Sequence, residues 1–280
     1  MLLLVDLDGV VYRGDEAVPG IADLLTARVA AGDVVVYVTN NSMHYRADYV
    51  TRLAAMGAPV SPDRVVSAPR ATALYLVERL PAVRRVLALG AAGLDRELRD
   101  VGLEVVSAGH VAERMAKEGL DGWAAAGHPD AVVAGLDPQL TYMRLAAAAD
   151  CVRAGARFIA TNRDPIYPTE RGLRPGAGSV IAAIEVASGV APLVIGKPEP
   201  LLMAEAARAG GADPRDAVVI GDGLLTDIAA ARAIGARSVL MLTGVSTQAQ
   251  VEALPAADRP TVVVADAREL QLALERLARA

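Results

Sequence analysis

Apolar runs of about four to six residues alternate along the chain with longer stretches whose apolar positions recur at helical spacing. The first run covers residues 2–5 and stops at Asp6-Leu7-Asp8-Gly9. Further runs at 33–39, 64–68, 84–90, 103–106, 131–135, 156–160, 192–196, 216–222, 236–242 and 261–265 read as strands. Between them, helices are expected at 19–31, 43–56, 70–80, 93–101, 138–154, 177–188, 200–209 and 225–235, with a charged helix at the end of the chain. Residues 108–130 carry glycine at 109, 119, 122 and 127 and read as irregular, and residues 161–176 read as a loop. Short runs that are apolar throughout are buried on both faces, and strands alternating with helices build βαβ units. The expected fold class is therefore α/β, a Rossmann-like, doubly wound parallel sheet.

Composition narrows the classes of function. The chain has 280 residues, 53% of them hydrophobic, enough for a large core. Its net charge of −5 argues against a nucleic-acid footprint, and neither a basic membrane-binding cluster nor an apolar stretch of membrane-spanning length is present. The opening run is cut off by Asp6 before it reaches the length of a signal peptide, so a cytoplasmic location is expected. Cys151, the single cysteine, lies in an alanine-rich helical pattern and reads as a buried, inert thiol. Only two lysines, Lys117 and Lys197, occur among 28 basic residues, and only three asparagines occur: Asn40, Asn41 and Asn162. Where arginine and alanine fill most positions, each lysine or asparagine is a candidate for a specific task.

Four strand ends carry chemistry. Asp6 and Asp8 follow the first strand, and in extended chain residues two apart point to the same side. Two carboxylates held together repel unless a cation lies between them, and magnesium suits oxygen ligands. Thr39, Asn40, Asn41 and Ser42 close the second strand just before a helix, where anions are favoured. Gly196-Lys197-Pro198 places one ammonium at a strand end, and Gly221 to Ile228 reads GDGLLTDI, with Asp222 and Asp227. Taken singly, each is ordinary turn or capping chemistry. Together they supply carboxylates for a metal, donors for an anion and a cation to neutralise charge, which is the inventory of phosphoryl transfer.

These four stretches resemble, in order, the motifs of the haloacid-dehalogenase superfamily: DLDGV at 6–10, TNNS at 39–42, Lys197 in GKPEP, and GDGLLTDI at 221–228. GARFIATNRD at 155–164 followed by PGAGS at 175–179 resembles the type IIA cap of the NagD-like, p-nitrophenylphosphatase group. The resemblance implies a catalytic core at 1–80 and 193–280 with an α/β cap inserted at 81–192. It implies Mg2+-dependent hydrolysis of small phosphate monoesters, of the glycerol phosphate, phosphoglycolate, sugar phosphate or nucleoside monophosphate type. In that scheme Asp6 is the nucleophile that becomes an aspartyl phosphate, and Asp8 is the acid and base. Mg2+ is held by Asp6, the Asp8 carbonyl and Asp222. Thr39 and Asn40 hold phosphate oxygens, Lys197 offsets charge, and Asp227 supports the metal waters or Lys197. Asp8 also separates phosphatases from the superfamily's dehalogenases, which lack a second aspartate there. The implied partners are a small phosphorylated metabolite and a second copy joined through the cap, with no nucleic acid and no membrane.

The cap is expected to close over the site, with its 161–176 loop toward the leaving group. Asn162 and then Asp164 are the expected contacts there, and Arg171 and Arg174 are candidates for a second anionic group on the substrate. Gly223 stands where the group often carries a larger polar residue, and the irregular 108–130 stretch is a second departure; both are expected to bear on the substrate. His110 and His128 read as surface residues, and GAAG at 90–93 as a strand–helix turn. Two other functions use the same residues: a phosphotransferase or mutase with the same aspartyl phosphate, and a non-catalytic sugar-phosphate-binding protein. The four intact motif groups, Asp6, Asp8, Lys197 and Asp222, count against the binder.

Overall fold

A computed structural model describes residues 1–169 and 172–279. In chain order the strands are β1 (Leu2–Asp6), β2 (Tyr12–Arg13), β3 (Glu16–Ala17), β4 (Val34–Thr39), β5 (Val65–Ser67), β6 (Arg85–Leu89), β7 (Glu104–Ser107), β8 (Ala131–Ala134) and β9 (Arg157–Ala160). They continue with β10 (Ile166–Thr169), β11 (Gly172–Pro175), β12 (Leu193–Val194), β13 (Ala217–Gly221), β14 (Arg237–Met241) and β15 (Val262–Val264). The chain divides into two compact units: Met1–Thr39, Ala47–Ser67 and Lys197–Ala280 form the first, and Asn40–Arg46 with Ala68–Gly196 form the second. The helix Ala68–Arg79 thus falls in the second unit, where it packs on the helix Ala92–Asp100; a boundary at 80/81 would place it in the first. No helix among the described residues is long and apolar enough to cross a membrane.

The first unit is the expected doubly wound sheet. Its six strands are parallel, in the order β15-β14-β13-β1-β4-β5. From β1 the chain winds outward through β4 and β5, and later through β13, β14 and β15 on the other side. The strand order therefore reverses at β1, and ligands bind at such a switch point, outside the carboxyl ends of the strands. Side chains alternate between the two faces. Leu3, Val5, Val35, Tyr37, Val218 and Ile220 pack with Ile21, Leu25, Tyr49, Leu53, Leu270 and Leu274. Leu4, Val36 and Val219, buried on the other face, lie on the side of the helix Pro200–Gly210, which packs on β1, β4 and β5.

The second unit has its own parallel sheet, in the order β12-β9-β8-β6-β7, and its own core. Leu87, Leu89, Val132 and Phe158 pack there against Val111, Ala148, Cys151, Val180 and Ile184.

Three local expectations are corrected. The stretch read as irregular holds two helices, Ala108–Glu118 and Gly122–Ala125. Ser107 caps the first by accepting from the His110 N–H, and Gly119, at φ 65°, ends it in the left-handed conformation that glycine adopts without strain. Gly122 lies so close to Ala147 that a Cβ would sit 2.4 Å from its Cα. These glycines serve a cap and a close helix contact rather than a break. The 161–176 loop contains the antiparallel hairpin β10–β11. The helix expected from Pro138 begins at Tyr142, because Thr141 caps it and Asp137 instead closes a turn on the Gln139 N–H.

Candidate active site

β1 lies between β13 and β4, with Asp6 level with Val38 and Val5 level with Ile220. All three strands are parallel, so Asp6, Thr39 and Asp222 stand at the same edge of the sheet, each at or just beyond the end of a buried apolar strand. The short segment after the long insertion delivers Lys197 to the same place. Its Nζ donates to Asp6 Oδ1 at 2.6 Å and to Asp227 Oδ1 at 2.6 Å, and it is only 4% exposed. Asp227 sits in a π-helical turn, Leu224–Ile228, and its second oxygen accepts from the Gly223 N–H at 3.1 Å and Thr226 Oγ1 at 3.2 Å.

Asp222 is held by backbone. Its Oδ2 accepts from the Val245 N–H at 2.8 Å, and the loop after β14 presses against it: a Cβ on Gly244 would lie 1.7 Å from that oxygen. Gly9, at φ +82°, also crowds that oxygen: a Cβ there would lie 2.3 Å from it. The Gly9 carbonyl in turn accepts from Thr243 Oγ1 at 2.6 Å. Gly244, Val245 and Thr243 were not expected from the sequence. The only signal is the Thr-Gly pair closing an apolar strand, which reads as a turn.

Carboxylate oxygens of Asp6, Asp222 and Asp227 lie within 4.8 Å of one another, all buried. Among the described residues, the Lys197 ammonium pairs with two of these three carboxylates, so acids outnumber cations here. Burial pushes the Asp6 carboxyl well above the usual carboxylate range; Lys197 draws it back, while Asp227 and Asp222 push it up. Asp222 is pushed up to about 6, by burial and then by Asp227. Burial disfavours the Lys197 charge, but Asp227 and Asp6 outweigh it and raise its pKa. Deeply buried anions in excess are costly, and a hard divalent cation with oxygen ligands would cancel both the excess charge and the mutual repulsion. The donor set fits magnesium.

Asp8 is exposed and lies outside that carboxylate cluster, on the turn that follows β1. Gly223 is accounted for locally. A Cβ there would meet Thr226 Oγ1 at 2.0 Å, so its missing side chain makes room for the π-helical turn.

The remaining predicted residues gather in the second unit. Asn40 Nδ2 donates to Asp164 Oδ2 at 2.9 Å, and Asn162 Nδ2 donates to the same oxygen at 2.5 Å. Thr161 Oγ1 completes the chain by donating to Asn162 Oδ1 at 2.8 Å. One carboxylate thus gathers the side-chain amides of Asn40 and Asn162. Asn41 Oδ1 accepts from the Met43 N–H and Ser42 Oγ from the Leu136 N–H, so these two side chains brace the local backbone. Arg174 is exposed on β11, and Arg171 lies outside the described residues. His110 and His128 are exposed, and His128 sits edge-on to Trp123.

Comparison with known proteins agrees in both units. A family model described as haloacid dehalogenase-like hydrolase matches residues 3–104, and a HAD-hydrolase-like model matches 194–270. An acid sugar phosphatase of Staphylococcus aureus is 36% identical over 249 residues, 89% of each chain. The structure of a p-nitrophenyl phosphatase from Archaeoglobus fulgidus superposes with a TM-score of 0.85 at 30% identity, covering 97% of this chain and 98% of that one. A glycerol phosphate phosphatase from Mycobacterium tuberculosis, solved in complex with magnesium, superposes with a TM-score of 0.81 at 37% identity, over 96% of this chain and 75% of that one.

Proposed function

The chain belongs to the haloacid dehalogenase-like hydrolases, in their p-nitrophenylphosphatase group, and is a phosphoric monoester hydrolase; from that premise we propose how it works and on what. It is a Mg2+-dependent phosphatase of small phosphate monoesters, acting through an aspartyl phosphate on Asp6. The observation that carries this reading is the Lys197 ammonium, 2.6 Å from Asp6 and 2.6 Å from Asp227, in a buried cluster that also holds Asp222.

An Asp6 oxygen attacks phosphorus, the bond from phosphorus to the ester oxygen breaks, and Asp8 gives the departing oxygen its proton. Water then attacks the aspartyl phosphate while Asp8 takes a proton back, and inorganic phosphate leaves with the Asp6 carboxylate restored. Asp6, Asp222 and the Asp8 carbonyl hold the metal, which when bound supplies charge neutralisation between two anions that would otherwise repel. Lys197 adds a second fixed cation, aligned by Asp227. Thr39 and the Asn40 backbone receive the phosphoryl oxygens, since the Asn40 side-chain amide is engaged by Asp164. The first unit is the catalytic core and the second a cap that selects the leaving group.

The relatives named for sugar phosphate and glycerol phosphate point to a polyol or sugar phosphate as substrate. The test is release of inorganic phosphate from a panel of small monoesters, with and without Mg2+, by the native chain and by Asp6→Asn. Turnover of one such ester that needs both Mg2+ and Asp6 is expected. Metal-independent turnover, or full activity of Asp6→Asn, would overturn the mechanism.

A further inference from the structure

The acid assigned to Asp8 has a positional problem. The group is exposed, on a turn rather than in a strand, yet a general acid must meet the leaving oxygen at hydrogen-bond distance. The turn is compact: the N–H groups of Val10, Val11 and Tyr12 all donate to the Leu7 carbonyl, at 3.3, 2.9 and 3.2 Å. Gly9 N–H donates to the Tyr12 carbonyl at 2.7 Å, and Asp8 bridges to Tyr12. Tyr12 is therefore the residue against which the Asp8 turn is built. It opens β2, which pairs with β3 as a hairpin of two residues per strand, Tyr12 with Ala17 and Arg13 with Glu16. So short a hairpin is not stable by itself.

Arg52 supplies an outside hold. It lies on the helix Arg46–Ala55, anchored in the first unit's core by Tyr49 and Leu53, which share that core with Tyr12. Its guanidinium lies over the Tyr12 ring, 3.8 Å from the centroid, and donates to the Gly14 carbonyl at the hairpin's tip and to Asp15 at 3.3 Å. Tyr12 is 1% exposed and the Arg52 side chain is half-buried over it, whereas Asp15 is open to water and adds little. One side chain on a rigid helix thus grips both the base and the tip of the hairpin that frames Asp8.

We propose that Arg52 is a positioning residue for the acid, holding the Asp8 turn through Tyr12 and Gly14. This rests on Asp8 being the acid. Arg52 touches no reacting atom, so its loss should show most where protonation of the leaving group matters most.

Phenyl phosphate and p-nitrophenyl phosphate make the comparison. They share a shape, but nitrophenolate departs readily as the anion whereas phenolate needs the proton. The readout is kcat/KM with Mg2+ present, which reports steps up to departure of the phenol and leaves out dephosphorylation. Arg52→Met should lower kcat/KM on phenyl phosphate about tenfold or more beyond its effect on p-nitrophenyl phosphate. Arg52→Lys, which keeps a cation over the ring but loses the forked reach to Gly14, should fall between. Equal loss on both esters, no loss on either, or failure of both variants to fold would overturn the proposal. Asp8→Asn separates this from the underlying mechanism. If that variant fails to discriminate between the two esters, the acid reading itself falls, whatever Arg52 does.

Discussion

Two groups of buried acids, one in each unit, treat charge in opposite ways. In the first unit, Asp6 and Asp227 pair with the Lys197 ammonium, and Asp222 stands beside them. In the second, Glu97 is fully buried and faces two cations, the Arg46 guanidinium at 3.0 Å and Arg70 at 3.7 Å, with the Arg46 backbone N–H at 3.1 Å. Burial raises both Asp6 and Glu97. Around Glu97, Arg46, its N–H and Arg70 pull the pKa back against a smaller push from Asp100, whereas around Asp6 Lys197 pulls it back and two further carboxylates, Asp227 and Asp222, push it up. The Glu97 cluster is complete in itself, ties Arg46 to the helix Ala92–Asp100, and reads as structural. The Asp6 cluster gathers three carboxylates beside one described ammonium, an imbalance that the proposed divalent cation would relieve. Buried charge alone does not mark a site; an unbalanced excess of one sign is the more telling signal.

The sharpest break of this contrast is Lys197→Met. It should cut phosphate release by roughly 10²–10³-fold, as loss of a group stabilising transition-state charge does, while the chain stays folded. Steady-state kinetics at saturating Mg2+ beside a thermal melt checks both; unchanged activity would remove Lys197 from the reaction. Gly244→Ala comes next. Its Cβ must displace the Asp222 carboxylate, so Mg2+ affinity should weaken about 10–100-fold, measured by calorimetry or by the metal-dependent rise in melting temperature. Equal metal affinity would mean that Asp222 is not a ligand.

On the other side of the contrast, Arg46→Met leaves Glu97 with Arg70 as its remaining cation. It should cost about 1–3 kcal/mol in urea unfolding and leave kcat with p-nitrophenyl phosphate nearly unchanged. A collapse of kcat would show that this cluster is not merely structural. The smallest effect concerns pH. Burial holds the folded Glu97 pKa above the ordinary glutamate value of 4.5, so the folded chain binds the proton more tightly than the unfolded one. The stability linked to that proton is full below about 4.5 and is lost as pH rises through the folded pKa. Glu97→Gln should flatten the slope there, read from urea midpoints across pH; an unaltered slope would reject the assignment.

Much of the fold and of the candidate site could be read from the residues in order. The apolar runs placed the eleven expected strands, because strands buried on both faces are written as unbroken hydrophobic stretches. The hairpin of β2 and β3 escaped because two residues per strand carry no periodicity. The helices Ala108–Glu118 and Gly122–Ala125 escaped because Gly119 answers to a cap and Gly122 to a close contact, not to local propensity. Asn162 and Asp164 were expected as contacts to the leaving group; that one Asp164 oxygen also accepts from the Asn40 side chain, 124 positions away, is a link that spacing does not reveal.

What the sequence by itself determined is the set of groups at one sheet edge. A parallel, doubly wound sheet carries all its strand ends to the same side, so Asp6, Thr39 and Asp222 had to meet wherever their strands paired. What only the tertiary structure decided is how those groups are held: the Val245 N–H and the bare Gly244 against Asp222, the π-helical turn around Asp227, and Arg52 over the hairpin beside Asp8. The physical reason is the same in each case. Backbone donors, clearance for an absent side chain and contacts across long separations belong to no residue type, and they exist only once the chain has closed on itself.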